Sequence, residues 1–290
     1  MKVAAAAYSI DWHNRWNEFV GKLRVWVRTA AENGAELLVF PQNASLELAS
    51  LAREENAKDL KRAVEAVNAR IKDVDELQAS LAREFGVHLC AGSAPVGGPE
   101  GRVVNRVRLF APNGKVGQQG MRFPTPAEIE AGIAPGQIGR VFQTTLGRIG
   151  ILPGPDAAHP ALAQAMVEAG AEILLAPVST PTLRSYWRAR IGAMARALES
   201  NALVVQAVTI GDADWLATAT RSVGAAGIYA PPLEGLPDDG IVAAGKMNAA
   251  GWVYGEVDLS PLRAARAAPL ADPAPAGDLA AIELVGLTDP

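Results

Sequence analysis

One short segment, "ILPGPDAAHP" at residues 151–160, carries an acid and an imidazole close together. Asp156 and His159 lie three positions apart, and a carboxylate beside an imidazole can activate a water molecule by taking its proton. The alternative role is structural. Short polar residues such as aspartate often accept hydrogen bonds from free N–H groups at the start of a helix, here one predicted to begin near Pro160.

Cysteine and histidine offer little further chemistry. Cys90 is the single cysteine, and its position in the apolar strand "VHLCAG" favours a buried small side chain over a nucleophile. One cysteine excludes an internal disulfide framework and a thiolate zinc cluster. His13, His88 and His159 are too far apart in the chain to form a local metal motif. We therefore expect no metal and no cofactor.

Composition limits the partners. The chain has 290 residues, 49% of them apolar, which is enough for one large core. Its net charge is -4 with basic and acidic residues interspersed, so nucleic-acid binding is not expected. The segment "MKVAAAAYSIDWHNRW" meets charged and aromatic residues before an export signal could form, and no apolar run approaches the ~18 residues of a membrane span. These features predict a soluble, cytoplasmic protein.

The elements that must position these residues alternate along the chain. An apolar stripe over residues 58–85 predicts a long amphipathic helix, and Asn113-Gly114 predicts a tight hairpin. "GAELLVFP" at 34–41 recurs as "GAEILLAP" at 170–177, each after a helical stretch, although chance could produce two such junctions. Helices alternating with strands favour an α/β fold. From about residue 261 the chain is rich in Ala and Pro, which indicates a loosely held tail or an arm on a partner.

Several ordered blocks resemble the nitrilase superfamily, also called carbon-nitrogen hydrolases. They are "GAELLVFPQNASLELASL", "NRVRLFAPNGKVGQQGMRFPTPAE", "FQTTLGRIGILPGPDAAHPALAQAMVEAGAEILLAPVST", "RIGAMARALESNALVVQAV" and "GDADW" with "GIYAPPLEGLPDDGIV". The resemblance implies a four-layer α-β-β-α sandwich over residues 1–260, followed by an Ala/Pro-rich tail, 261–290. Family members commonly pair through sandwich faces, so it also implies a homodimer whose tail packs on the partner.

The resemblance also shows a departure at three positions. The family uses a glutamate, a lysine and a cysteine to cleave nitriles, amides or carbamoyl groups through a thioester, and the matching positions here are Gln42, Met121 and Gly154. Glutamine cannot exchange a proton, methionine carries no charge and glycine has no side chain. Pro153 and Pro155 also remove backbone N–H groups beside Gly154. Conventional thioester catalysis is therefore not expected.

Other site residues follow from the same blocks. Glu128 in "TPAE" matches a second family glutamate and is either a residual acid or base for water or a structural hydrogen-bonding residue. Arg122 would replace the lost lysine charge only if its strand slipped by one residue, against the alternation of strand side chains. Residues expected to line the pocket, with ordinary loop bonding or packing as the alternative, are Pro155, Ser179, Thr180, Tyr186 and Trp187.

Three functions remain open from the sequence. The first is a pseudoenzyme that binds a small molecule or a partner through the former active-site cleft. The second is a carbon-nitrogen hydrolase or lyase that acts on amide, nitrile or carbamoyl compounds by activating water with Glu128, Asp156 or His159. The third is a noncatalytic subunit of a hetero-complex.

Overall fold

The structure is a computed structural model that describes residues 1–97 and 101–267. Its strands are β1 Lys2–Ser9, β2 Leu37–Phe40, β3 His88–Gly97, β4 Val103–Phe110, β5 Val116–Gly120, β6 Val141–Gln143, β7 Arg148–Ile151, β8 Ile173–Ser179, β9 Leu203–Asp212, β10 Arg221–Ser222, β11 Gly227–Tyr229, β12 Ile241–Ala244 and β13 Gly251–Glu256. Its α-helices are α1 Trp16–Glu32, α2 Glu54–Ala57, α3 Leu60–Phe85, α4 Pro126–Glu130, α5 Pro160–Glu168, α6 Leu183–Ser200 and α7 Ser260–Ala267. Two 3-10 helices, Ala44–Leu51 and Gly154–Ala158, follow β2 and β7.

The strands form one continuous sheet in the order β5-β4-β3-β2-β1-β9-β8-β7-β6. The six strands from β3 to β7 along that path are parallel, whereas β4, β5 and β6 are added in antiparallel pairing. Carboxyl ends of parallel strands meet at one edge of a sheet. The residues that follow β2, β7 and β8 are therefore brought to the same edge.

The core has three apolar clusters that separate four layers. Along β1, Val3, Ala5 and Ala7 face the central cluster between the two halves of the sheet. The alternate residues face a cluster under α1 and α3, and a third cluster lies under α5 and α6. Strand alternation thus buries both faces of the sheet. This is the four-layer α-β-β-α arrangement that the sequence predicted.

Gln119 joins the two outer edges of this sheet, which gives it a barrel-like form. Its buried side chain accepts a hydrogen bond from the backbone N–H of Arg140 (2.9 Å) and donates to the carbonyl of Ile138 (3.1 Å). Phe142 of β6 lies directly over Gly117 of β5, where a Cβ would come within 2.6 Å of its ring. The side-chain bonds thus replace a missing strand ladder between β5 and β6.

Most elements expected from the sequence are present. The long helix is α3, with Asp59 capping its first turn, and the Asn113-Gly114 hairpin joins β4 to β5. The two similar segments are the α1–β2 and α5–β8 junctions, and their glycines, Gly34 and Gly170, both have positive φ.

The first seven residues of the segment that the sequence assigned to a tail, 261–267, are helical in the structure. They belong to α7, whose Leu262 is buried and whose Arg266 donates to the carbonyls of Asn201 (2.9 Å) and Ala171 (2.7 Å). The rest of that tail, 268–290, lies outside the described residues. No helix in the described part of the chain is long and apolar enough to cross a membrane.

Candidate functional site

Gln42, Met121 and Gly154, the three positions that the resemblance matched to a catalytic triad, meet at the carboxyl edge of the sheet. Gln42 follows β2, Met121 follows β5 and Gly154 begins the 3-10 helix after β7. The Gln42 Nε2 atom lies 3.9 Å from the Met121 Sδ atom, and a Cβ built on Gly154 would lie 2.7 Å from Gln42 Oε1. All three residues are buried. Residues separated by more than a hundred positions thus share one site.

The Gln42 carboxamide is held at both ends. Its Oε1 atom accepts a hydrogen bond from the backbone N–H of Ser179 (3.1 Å), and its Nε2 atom donates to Glu128 Oε1 (3.0 Å). Its backbone carbonyl accepts a hydrogen bond from Thr209 Oγ1 (2.5 Å). The amide therefore has a fixed orientation, with its oxygen towards β8 and its nitrogen towards α4.

This fixed amide uses the space that a side chain at Gly154 would need. A Cβ there would approach three atoms of the Gln42 carboxamide to between 2.7 and 2.9 Å, closer than real Cβ contacts allow. Gly154 also has a φ of +56°, a left-handed conformation that glycine adopts more easily than residues with a Cβ. Glycine at position 154 therefore leaves room for the Gln42 carboxamide and adopts the left-handed backbone conformation without strain.

Glu128 connects the site to α4. Its Oε2 atom accepts from the backbone N–H and the hydroxyl of Thr125 (both 2.8 Å), while the N–H of Glu128 donates back to Thr125 Oγ1 (3.2 Å). This capping box fixes the carboxylate, so that its other oxygen meets Gln42. The expected contact with the site is present, and the structural hydrogen-bonding role is the one visible in the geometry.

Asp156 is fully buried and holds the loop after Met121 by hydrogen bonds. It accepts hydrogen bonds from the backbone N–H groups of Arg122 (2.8 and 3.1 Å) and Phe123 (2.8 Å). Burial raises the pKa of Asp156 to about 6, and these hydrogen bonds oppose the rise. The proposed cap on α5 is wrong, because both oxygens turn to the loop and the N-cap residue of α5, His159, makes no side-chain capping bond. Asp156 instead fixes the chain directly after Met121.

His159 and Arg122 take separate positions. The imidazole of His159 stacks on the ring of Phe123, with centroids 4.0 Å apart and planes at 21°. The hydrogen bond between His159 and Asp156 joins backbone atoms (3.0 Å), not their side chains. No strand slip brings Arg122 to the position beside Gln42, because Met121 itself occupies it. A paired Asp156–His159 base is therefore not assembled in this arrangement.

The other expected pocket residues divide into two groups. Ser179 touches the site through its backbone N–H, and its hydroxyl lies 3.2 Å from that of Ser222. Thr180 turns away and donates to the carbonyl of Val223 (2.6 Å). Tyr186 is fully buried in α6 and accepts a hydrogen bond from Arg190 (3.2 Å), as its packing alternative proposed. Trp187 is exposed on α6, and Pro155 is half-buried. Neither residue forms a hydrogen bond with Gln42.

Cys90 is not positioned as a nucleophile. It is fully buried in β3, and burial raises the pKa of its thiol to about 12. Because the thiolate is the reactive form, this cysteine is inert at neutral pH. Among the described residues no group of three or more His, Cys, Asp or Glu could hold a metal ion.

Two residues of the site escaped the sequence analysis. Thr209 lies inside the apolar strand β9, and Phe123 follows Met121 in a loop, so neither carried a pattern typical of a site. Thr209 is a polar residue that directly follows the family block ending in "NALVVQAV". A polar residue at such a position is the sequence feature that could have indicated a site residue.

Comparison with known proteins identifies the family of this chain. A family model described as carbon-nitrogen hydrolase matches residues 2–267. The chain belongs to the carbon-nitrogen hydrolase family. This family member is 30% identical over 267 residues to the "Probable hydrolase YhcX" of Bacillus subtilis (strain 168), and the match covers 92% of the chain and 51% of that protein. The chain thus spans about half the length of this curated relative.

Solved structures show the same fold. Nit3 of Saccharomyces cerevisiae, a member of branch 10 of the nitrilase superfamily, superposes with a TM-score of 0.72 at 16% identity over 94% of this chain and 95% of that chain. An amidase from Nesterenkonia sp. AN1 superposes with a TM-score of 0.67 at 19% identity over 91% of this chain and 93% of that chain. That solved form carries a glutamate-to-glutamine and a cysteine-to-alanine substitution and is in complex with acrylamide.

Proposed function

We propose that this chain is a catalytically degenerate carbon-nitrogen hydrolase that binds a small molecule at the former active site. The observation that carries the proposal is the convergence of Gln42, Met121 and Gly154, three residues that cannot exchange a proton, carry a positive charge or attack a carbon atom. Loss of a nucleophile alone can cost on the order of a millionfold in turnover. Thioester hydrolysis therefore has no group to start it here.

The chemistry around Gln42 indicates what such a ligand would carry. The Ser179 N–H is a donor and the Glu128 carboxylate an acceptor, and together they hold the carboxamide of the chain's own glutamine. A small ligand with a carboxamide group would make the same two bonds after displacing that side chain. The acrylamide complex of the doubly substituted amidase supports this proposal, since in that protein an amide is bound without the original glutamate and cysteine.

The alternative is a water-activating hydrolase or lyase, and the raised pKa of Asp156 is the observation in its favour. A carboxyl group that titrates near pH 6 is suited to proton transfer at neutral pH. Both oxygens of Asp156 are nevertheless engaged by backbone N–H groups, and the His159 ring is stacked on Phe123. A partner protein at the same site and the predicted homodimer remain further proposals, drawn from the family resemblance.

Binding and turnover distinguish these functions. We expect butyramide to show stronger saturation-transfer NMR signals with Gln42→Ala than with the wild-type chain, because the competing carboxamide is gone. Gly21→Ala is the matched control, since a Cβ at Gly21 meets nothing within 4 Å. Neither chain should release ammonia from amides. Equal signals from all three proteins would contradict the ligand proposal, and turnover that Glu128→Gln abolishes would support the water mechanism.

A further inference from the structure

A guanidinium group is buried between α3 and the sheet. Arg108 lies in β4, where its neighbours Val107 and Leu109 face the central cluster, so its side chain points the other way, towards α3. Only 1% of Arg108 is exposed. Arginine is almost never buried to this extent unless it is paired, so its partners decide what this residue can do.

One acidic residue of α3 meets this guanidinium. Asp75 Oδ1 lies 2.5 Å from Arg108 Nε. The Nη1 and Nη2 atoms of Arg108 are also buried, and neither has a hydrogen-bond partner among the described residues. These two atoms form the edge of a guanidinium that can bind two oxygen atoms of one anion. That edge is left without an acceptor.

A buried glutamine carbonyl in the same interface also lacks a partner. Gln78 lies three positions after Asp75, which places both on one face of α3, and it is buried. Its Oε1 atom accepts no hydrogen bond from the part of the chain that the structure describes. The interface between α3 and β4 therefore holds unpaired donors together with an unpaired acceptor.

The charges around Arg108 sum to one positive charge. At neutral pH the charged side chains that act on it are those of Asp75 and Arg106, and Arg106 lies two positions earlier on the same face of β4. Burial is the largest cause that lowers the pKa of Arg108, and burial is also the largest cause that raises the pKa of Asp75. The ion pair thus does not compensate for its own burial, and one further negative charge would balance the cluster.

The strand beside Arg108 is irregular at this position. β3 and β4 pair Cys90 with Leu109 and Ser93 with Val107, so two residues of β3 lie opposite Arg108 alone. A bulge of this kind redirects side chains, and bulges are over-represented next to functional sites. The bulge is a second feature of the backbone that singles out this residue.

We propose that the interface of Arg108, Gln78, Asp75 and Arg106 binds one small oxyanion that carries a proton, of the bicarbonate or dihydrogenphosphate type. Two oxygens of the anion accept hydrogen bonds from Nη1 and Nη2 of Arg108, and its hydroxyl group donates to Gln78 Oε1. The anion enters between the Asp75 side chain, which is 31% exposed, and the half-buried Arg106. This site is separate from Gln42, and the proposal does not depend on the proposed function.

Titration calorimetry of the full chain at pH 7 and constant ionic strength tests this site. The probes are the sodium salts of phosphate, bicarbonate, sulfate and chloride, because sulfate offers oxygens without a proton and chloride offers charge alone. Arg108→Met removes the guanidinium, and Gln78→Met removes only the acceptor, each with a flexible apolar side chain in its place. Arg70→Met is the matched control, since Arg70 is an arginine of α3 whose side chain is 48% exposed.

We expect the wild-type chain and the Arg70 variant to bind phosphate or bicarbonate saturably and about tenfold more tightly than sulfate, which leaves Gln78 Oε1 unpaired. Arg108→Met should abolish this binding. Gln78→Met should make the affinities for the proton-bearing anion and for sulfate equal, a result that can be measured even if the Arg108 variant does not fold. The tighter of the two proton-bearing anions identifies the ligand.

Three results would overturn the proposal. The first is no saturable binding of either proton-bearing anion to the wild-type chain. The second is equal affinity of the wild-type chain for those anions and for sulfate. The third is binding that persists in Arg108→Met.

Discussion

Two buried polar clusters of this protein differ in whether they contain a carboxylate–ammonium pair. At the first, Gln42 and Met121 are neutral neighbours beside Gly154. At the second, centred on Glu47, a fully buried carboxylate accepts hydrogen bonds from Tyr8 (2.6 Å), the Asp11 N–H (2.7 Å) and Lys22. Gln42 and Glu47 are five residues apart along the chain, and a carboxylate–ammonium pair is present at Glu47 but not between Gln42 and Met121.

The difference indicates that a buried ion pair requires a hydrogen-bond partner for each of its polar atoms. Lys22 satisfies its other donors with the Ser9 carbonyl and Asp11 (both 2.7 Å) and lies over the Tyr8 ring at 4.1 Å from its centroid. Burial is the largest cause that raises the pKa of Tyr8 well above its ordinary value, so the phenol stays a donor to Glu47. With every partner present, the charges are stable. At Gln42, both charges are absent together, which avoids a lone buried ion.

The largest expected effect comes from breaking the charged cluster. Glu47→Gln leaves Lys22 with one partly exposed counterion, Asp11, and should lower the free energy of unfolding by about 3–5 kcal/mol. Adding Lys22→Met, which imitates the Gln42–Met121 pair, should recover part of that loss. Urea unfolding measures both, with Glu55→Gln at an exposed position as the control. A double variant less stable than the single one would contradict the comparison.

The next effect comes from recharging the neutral cluster. In the wild-type chain, Gln42 Nε2 donates a 3.0 Å hydrogen bond to Glu128. Gln42→Glu replaces this donor with a second carboxylate beside Glu128. We expect the free energy of unfolding to fall by about 2–3 kcal/mol at pH 7, because the amide donor is replaced by a negative charge that repels Glu128. The loss should shrink towards pH 4 and be relieved by adding Met121→Lys. A single variant as stable as the wild type at pH 7 would show that the site tolerates unpaired charge.

Asp156 gives the Gln42 site a pH dependence. Because the pKa of Asp156 is raised to about 6 in the folded chain from 3.8, the folded state binds more protons between pH 4 and pH 6. Its contribution to stability is therefore present below pH 4, falls as the pH rises through 6 and then stays constant. The difference between wild type and Asp156→Asn should change by about 2–3 kcal/mol over that range. A difference that is independent of pH would contradict the assignment.

The smallest effect concerns the capping box that positions Glu128. Thr125→Ala removes the hydroxyl that caps α4 and should cost about 1 kcal/mol. Thr182→Ala, at the equivalent capping box of α6 away from Gln42, is the matched control. Only the first variant should also alter butyramide binding by Gln42→Ala, because it loosens the Glu128 carboxylate. Equal effects of both variants on binding would show that Glu128 is not fixed by its cap.

The sequence predicted the architecture well because its signals are local and repeated. The stripe of α3, the Asn113-Gly114 turn and the two helix-to-strand junctions each specify one element, and ordered family blocks connect them. The convergence of Gln42, Met121 and Gly154 was also predicted, because the blocks carried all three positions. Contacts inside the site were harder. Nothing in the order of residues shows that Asp156 turns to the Arg122 and Phe123 amides instead of capping α5.

How closely Gln42 and Gly154 fit each other could not be predicted from the sequence. The residue types at these three positions were known from the sequence, but only the structure shows that the Gln42 amide fills the space beside Gly154. Such a fit depends on side-chain rotamers and on a backbone φ of +56°. Neither is encoded in residue type or spacing alone.

Intact-protein mass spectrometry during incubation with small amides, nitriles and N-carbamoyl compounds tests the central claim most directly. The account predicts an unmodified mass throughout and no ammonia above the protein-free control, because the chain has no nucleophile at position 154 and its cysteine is buried in β3. An acyl adduct on the wild-type chain, or ammonia release that requires Gln42 and Glu128, would contradict it.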